Sequence, residues 1–175
     1  MVVGVSFGPD YGDPMRARLA ASFDRFLDVR ERSDRAIAEL LRELEVDIAV
    51  DLKGYTYDSR PGIFAHRPAP VHVSYLGFPG TMGAPWMDYL LADETIVPAS
   101  DTPWYSERVV RLPDSYQAND DAREIAASTP SRADEGLPPS GFVFCSFNSS
   151  YKITPPVFDA WMRLLDAVPG SVLWL

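Results

Sequence analysis

Short apolar runs recur along the first two thirds of the chain and predict a series of β-strands. The clearest runs cover 1–7, 46–52 and 71–76, and weaker ones cover 87–91 and 108–112. The run at 46–52 is typical of a buried parallel strand, and it carries Asp47 and Asp51 near its ends.

Amphipathic stretches with capping signals separate these runs and predict helices. Asp13 followed by Pro14 makes an N-cap with proline at the first helical position, and the helical spacing continues to about Asp28. Its apolar positions are Met15, Leu19, Phe23 and Phe26. Ser33 is a second N-cap candidate, and an apolar stripe over 37–44 follows it.

The composition changes after residue 113, where turn residues replace the periodic pattern. We predict a linker over 114–140. A strand over 141–147, a helix opened by Thr154 and a strand over 172–175 follow it. Alternating strands and helices predict an α/β architecture with parallel sheets, one unit over 1–113 and a second over 141–175. Because strand-like runs reach both ends, we expect the chain to be part of a longer protein.

Composition and charge exclude several classes of protein. The 175 residues are 46% hydrophobic and 23% charged, which excludes wholesale disorder. The net charge of −9 argues against a nucleic-acid binder, which needs a basic surface. No apolar run reaches the roughly 18 residues of a membrane span, and the first residues lack a basic signal-peptide region. These features fit a soluble, cytoplasmic protein.

Thiol and imidazole groups are scarce. Cys145 is the single cysteine, so an intramolecular disulfide is excluded, and its apolar surroundings predict a small core residue. His66 and His72 are the two histidines. They leave little material for a zinc site, and we expect both to be structural.

Three loops follow the best strands and are the candidate site. In open α/β sheets, ligands bind beyond the carboxyl ends of the strands. The loops cover 53–62, 77–83 and 148–152, and they carry glycines, hydroxyls and cations.

Lys152 has the clearest physical argument among them. It lies between a strand and a helix N-terminus, where its charge, free backbone N–H groups and the helix dipole favour a phosphate. Such a site stabilises charge that develops on a leaving diphosphate. Spacing alone favours the alternative of an ordinary solvated lysine.

The other loop residues also have two interpretations. Gly77 and the neighbouring glycines allow close approach to a ligand, or they serve only tight turns around Pro79. Arg60 is able to clamp an anion, although pairing with Asp58 or another carboxylate is the simpler expectation. Tyr55 is suited to a sugar or to core packing.

Taken together, these loops resemble the catalytic region of O-linked N-acetylglucosamine transferases. The matching segments occur in order over essentially the whole chain and are least similar in the linker. They are 51–56, 67–70, 76–89, 105–107, 147–152 and 168–175.

The resemblance implies a GT-B fold, in which two Rossmann-like lobes hold a UDP-sugar between them. Residues 1–113 would be part of the first lobe, and 141–175 would open the second, nucleotide-binding lobe. The family transfers N-acetylglucosamine from UDP-N-acetylglucosamine to Ser or Thr of proteins, with inversion and without a required metal or other cofactor. Its bacterial members commonly carry tetratricopeptide repeats upstream.

The resemblance also assigns roles to residues. It makes Lys152 the lysine that stabilises the UDP leaving group, and places Tyr55 and Arg60 in the active-site loop. The residues beside the sugar are Leu76, Gly77 and Pro79, and those of the nucleotide-contacting stretch are Ser149 and Tyr151. Ser149 replaces a glutamine of the animal enzymes and Tyr57 replaces a lysine.

Other segments of the family are absent from these 175 residues. An Asp-Phe-x-x-His segment and the loops that hold uridine and ribose have no counterpart, so we expect the isolated chain to be inactive. Two alternatives stay open. One is a related transferase that uses another sugar or an asparagine acceptor, and the other is a catalytically dead α/β interaction module.

Overall fold

Strands and helices alternate in the computed structural model, which describes residues 1–175. The chain divides into two units, 1–119 and 120–175. The strands are β1 Val3–Ser6, β2 Arg25–Asp28, β3 Ile48–Asp51, β4 Val71–Tyr75, β5 Tyr89–Ala92, β6 Arg108–Arg111, β7 Val143–Cys145 and β8 Val172–Trp174. The α-helices are α1 Pro14–Ala21, α2 Asp34–Glu43, α3 Gly62–Ala65 and α4 Pro155–Ala167. Short 3₁₀ turns cover Ala99–Trp104 and Ser150–Lys152.

Every strand pair is parallel. The first unit contains a two-stranded sheet, β1-β2, and a four-stranded sheet in the order β3-β4-β5-β6. The second unit contains β7 beside β8, joined through α4. Parallel pairing requires a crossover between consecutive strands. The predicted α/β architecture with parallel sheets is therefore confirmed.

Side-chain caps begin the first two helices where the sequence predicts them. The Asp13 carboxylate accepts the Arg16 N–H at 2.9 Å, and the Ser33 hydroxyl accepts the Ala36 N–H at 3.2 Å. The apolar stripe of α2 then buries Ile37 in the core.

The first helix is shorter than its apolar spacing predicts. It ends at Ala21, and residues 25–28 form β2 instead of continuing the helix to Asp28. The Ser22 hydroxyl caps the helix on the Arg18 carbonyl, and β2 then pairs along its length with β1. Pairing with a distant strand thus overrides a local helical period, as tertiary contacts commonly do.

The strand β3 is only half buried, in contrast to the prediction for 46–52. Ile48 and Val50 are 57% and 46% exposed, whereas Ala49 and Asp51 are buried. The burial alternates because successive side chains point to opposite faces and the core packs against only one face of β3. Asp47 and Asp51 lie at its ends, as predicted.

The core of the first unit lies between the sheet and the segments that cover it. Most of its buried members come from α2, β3, α3 and the connection between β4 and β5. They include Ile37, Leu41, Ala49, Ile63, Phe64, Met82, Ala84 and Met87. The β4–β5 connection over 76–88 contains no helix. Met82 and Met87 of this connection contribute buried apolar side chains to the core, as a crossover helix would.

His72 on β4 is a structural residue, as predicted. It is fully buried; Nδ1 lies 2.6 Å from the Trp86 carbonyl, and Nε2 accepts the Ala69 N–H at 3.4 Å. A neutral imidazole protonated at Nδ1 satisfies both contacts. Burial lowers the pKa of His72, which keeps the ring neutral.

The second unit differs from prediction at Cys145. This thiol is exposed instead of buried in a core. It lies at the last position of β7, whose first two residues are half-buried and whose only strand partner is β8. None of the helices in the chain is both long enough and apolar enough to cross a membrane.

Candidate functional site

The loops that follow β3 and β4 contact each other at the carboxyl ends of these strands. Gly77 lies directly against the first loop. A Cβ atom at this position would lie 2.4 Å from the Leu52 carbonyl oxygen and 3.0 Å from Lys53 Cα. Only glycine permits this approach of two backbones. The second loop is therefore placed by the first one. The approach of Gly77 to a ligand stays a prediction, since the contact here is with protein backbone.

Tyr55 links the same two loops through its side chain. Its hydroxyl donates to the Met82 carbonyl at 2.8 Å, and its ring meets the Phe78 ring edge-on with centroids 5.7 Å apart. Half of Tyr55 stays exposed. The residue therefore packs against the second loop and still presents a face to solvent.

Leu76 adopts an unusual backbone conformation at the start of the second loop. Its φ is +71°, and the Gly77 N–H donates to the Tyr75 carbonyl at 2.9 Å across it. This combination is that of a γ-turn with positive φ, a rare and strained conformation for a bulky residue. Strained backbone persists only where the surrounding structure holds it.

Residues 105–107 hold the second loop from the other side. The Tyr105 hydroxyl donates to the Pro79 carbonyl at 3.2 Å. The buried carboxylate of Glu107 accepts the Thr81 hydroxyl at 2.7 Å and the Met82 N–H at 2.6 Å. The sequence motif contains Glu107, but no local signal indicates its role, because its partners lie 25 and 26 positions away.

Arg60 lies apart from the contacts between the two loops. Its guanidinium pairs with the Asp34 carboxylate at the start of α2 and donates to the Arg32 carbonyl at 2.7 Å. It also lies over the Phe7 ring, 5.9 Å from the centroid. The simpler expectation of carboxylate pairing is thus confirmed, with Asp34 as partner instead of Asp58. No hydrogen bond or ring contact joins Arg60 to Tyr55 or to the second loop.

Asp93 at the end of β5 organises the neighbouring chain. Its carboxylate accepts N–H groups from Tyr116, Ile96 and Thr95, and these hydrogen bonds lower the pKa of Asp93. The Tyr75 hydroxyl donates to the Tyr116 carbonyl at 2.7 Å. The carboxyl ends of β4 and β5 are thereby attached to the segment after β6.

The predicted nucleotide-contacting residues lie together in the second unit. Ser149, Tyr151 and Lys152 occupy the turn between β7 and α4, and all three are exposed. The Lys152 ammonium makes no hydrogen bond or ion pair within the chain and is available to a ligand.

The start of α4 offers fewer backbone N–H donors than predicted for a helix N-terminus beside Lys152. Pro155 and Pro156 occupy its first two positions and have no N–H groups, and the Phe158 N–H bonds to the Thr154 carbonyl. An anion at this turn would therefore depend mainly on the charge of Lys152. The chain also contains no group of three or more His, Cys, Asp or Glu side chains that could hold a metal ion.

The sequence profile of glycosyl transferase family 41 matches residues 1–129 and 117–175, and so accounts for the full length. The chain belongs to this family. It is 42% identical to the probable UDP-N-acetylglucosamine–peptide N-acetylglucosaminyltransferase SEC of Arabidopsis thaliana, over 91% of this chain and 17% of the relative. It is 39% identical to the corresponding probable enzyme SPINDLY of Petunia hybrida, over 83% of this chain and 15% of that protein.

A solved structure is similar over almost the whole chain. A lysine-to-methionine variant of the O-GlcNAc transferase of Thermobaculum terrenum superposes with a TM-score of 0.82 at 34% identity, covering 98% of this chain and 31% of the other. The predicted α/β fold of the GT-B type is thereby confirmed. The family 41 chain spans about one sixth of the length of the two plant relatives. The lobe boundaries and the individual site roles stay predictions.

Proposed function

We propose that the whole protein transfers N-acetylglucosamine from UDP-N-acetylglucosamine to serine or threonine hydroxyls of proteins. The observation that carries the proposal is the match to glycosyl transferase family 41 along the full chain. The names of the relatives in Arabidopsis and Thermobaculum support the donor and the type of reaction. In this proposal the acceptor hydroxyl oxygen attacks the anomeric carbon as the bond to the diphosphate oxygen breaks, which inverts the anomeric configuration. UDP leaves with the electron pair of the broken bond, and the hydroxyl proton is released to water.

The two loops of the first unit would bind the sugar. Leu76, Gly77 and Pro79 lie in the loop that Tyr55 and residues 105–107 hold in place. Such preorganisation places the sugar for attack without a cost of ordering the loop during the reaction. The Arg60 guanidinium is paired with Asp34, so a role for Arg60 in the reaction would require that pair to open.

Lys152 would stabilise the leaving group. The breaking bond leaves negative charge on the β-phosphate, and a lysine ammonium is a compact charge suited to such an oxygen. Ser149 and Tyr151 lie on the same exposed turn and would contact the nucleotide. The reaction of this proposal needs no metal, because Lys152 supplies the positive charge.

The decisive experiment compares three variants of the whole protein in donor turnover and peptide glycosylation. Lys152→Ala should lower kcat by at least about a hundredfold, the scale for losing one transition-state contact. Lys152→Arg keeps the positive charge and so tests whether charge alone is enough to stabilise the leaving group. Arg163→Ala removes one positive charge from the exposed surface of α4 and should leave turnover unchanged.

Near-normal turnover by Lys152→Ala would refute the leaving-group assignment. A wild-type protein that binds no UDP in calorimetry would refute the enzyme and favour an interaction module. A panel of sugar nucleotides, with mass spectrometry of the modified residue, separates Ser or Thr transfer of N-acetylglucosamine from another sugar or an asparagine acceptor. A cytoplasmic location and upstream tetratricopeptide repeats complete the proposal.

A further inference from the structure

Glu107 is a buried carboxylate that the proposed reaction does not use. It is 4% exposed and pairs with no lysine or arginine. Its charge is met by two neutral donors, the Thr81 hydroxyl and the Met82 N–H. A buried charge without a cation costs stability. Both carboxylate oxygens are nevertheless engaged, each in a short, charge-assisted hydrogen bond of the stronger class.

The Thr81 hydroxyl extends this contact into a small network. Its oxygen accepts the Gly83 N–H at 3.0 Å and the Ser106 N–H at 3.3 Å. Together with the hydrogen bond from Tyr105 to Pro79, these contacts join residues 79–83 to residues 105–107. The strand connection is therefore held in the middle by side chains that precede β6.

The strained turn at Leu76 lies at the beginning of the same connection. A residue at φ +71° relaxes unless later parts of the loop hold it in place. Glu107 provides the only charged contacts to residues 79–83. Without them, the Met82 N–H loses its partner and the Thr81 hydroxyl keeps only the Ser106 hydroxyl, at 3.1 Å, as an acceptor, so the loop gains other conformations.

We propose that Glu107 is a positioning residue that holds the loop over 76–83 in its sugar-binding conformation. This inference rests on the proposed function, because that function places Leu76, Gly77 and Pro79 beside the sugar. Glu107 then sets the affinity for the sugar part of the donor and leaves the affinity for its nucleotide part unchanged. The apparent dissociation constant rises as the competent fraction of the loop falls.

The test measures binding of UDP-N-acetylglucosamine and of UDP alone to the whole protein by calorimetry. Glu107→Ala should weaken binding of the sugar nucleotide about tenfold and binding of UDP less than about twofold, since lost charge-assisted hydrogen bonds shift populations on that scale. Glu107→Gln keeps one acceptor for the Met82 N–H and should recover part of the affinity. Glu43→Ala makes the same truncation at an exposed position of α2 and should match the wild type.

Hydrogen exchange of the peptide over 78–83 provides a measurement that does not depend on activity. Glu107→Ala should speed exchange in this peptide, whereas peptides from α2 should keep their wild-type rates. If Glu107→Ala does not fold, Glu107→Gln decides the question, because it removes the charge, keeps the shape of the side chain and leaves Thr81 unchanged; exchange in this peptide should still be faster than in the wild type.

The outcomes distinguish a failure of this inference from a failure of the proposed function. Equal weakening of both ligands in a folded variant would overturn the inference, because Glu107 would then be merely structural. Unchanged affinity of Glu107→Ala for the sugar nucleotide would overturn the inference about Glu107 and leave the proposed function unaffected. A wild-type protein that binds neither ligand would overturn the proposed function and this inference together.

Discussion

The contact between the two loops at Gly77 leads to a sharp prediction about stability. Gly77→Ala adds one methyl group whose carbon would lie 2.4 Å from the Leu52 carbonyl oxygen, whereas ordinary contact begins at 3.4 Å. The obstacle is backbone, which cannot rotate away as a flexible side chain does. One loop must therefore move by about 1 Å relative to the other.

The cost of that displacement follows from overpacking in other proteins. Forcing an extra methyl group into a well-packed place costs about 1–3 kcal/mol. We expect Gly77→Ala to lower the free energy of unfolding of the first unit by this amount. Gly8→Ala is the matched control, since its added methyl group meets nothing within 4 Å. It should leave stability unchanged or raise it by up to about 1 kcal/mol, because alanine restricts the unfolded chain.

Urea unfolding followed by tryptophan fluorescence measures the difference. Two of the four tryptophans, Trp161 and Trp174, belong to the second unit, so replacing both by phenylalanine leaves a signal from the first unit alone. The comparison needs equal m-values, which show that the exposed surface has not changed. A Gly77→Ala protein within about 0.5 kcal/mol of the wild type, or a Gly8→Ala protein equally destabilised, would refute the reasoning.

Two further predictions concern Tyr55 and His72. Tyr55→Phe removes the hydrogen bond to the Met82 carbonyl and should lower the free energy of unfolding by about 1 kcal/mol. Tyr57 is 88% exposed, so Tyr57→Phe should leave the free energy of unfolding unchanged. Equal effects of the two substitutions in urea unfolding would contradict the prediction. Because burial lowers the pKa of His72 below 6.5, the unfolded state binds its proton first, and stability should fall as the pH drops through 6.5. His72→Gln should remove that part of the pH dependence, whereas exposed His66→Gln should retain it; identical pH profiles for the two variants would show that His72 contributes none of it.

Local signals in the sequence predict most elements of this fold. The caps at Asp13 and Ser33 begin their helices at the predicted residues, and the apolar runs become parallel strands. Local signals fail where a distant partner decides the outcome. Phe26 has helical spacing but belongs to β2, because residues 25–28 pair with β1.

The candidate site is predictable to a similar extent. The strand-end loops, with Tyr55, Gly77 and Lys152, follow from the rule that ligands bind at the carboxyl ends of parallel strands. The pairing of Arg60 with Asp34 does not follow, because any of the many carboxylates was a possible partner. The small number of N–H donors at the start of α4 is also not predictable, because the effect of Pro155 and Pro156 on anion binding depends on where the helix begins.

Periodicity and short-range capping in the sequence are enough to predict the α/β architecture, the order of most of its elements and the loops of the candidate site. The tertiary structure decided which backbones touch and which charges are buried. Glu107 shows the difference: it is one of many carboxylates in the sequence, yet the fold places it in the interior against Thr81 and Met82. Burial and long-range hydrogen bonds depend on the approach of segments far apart in the chain, which no local pattern encodes.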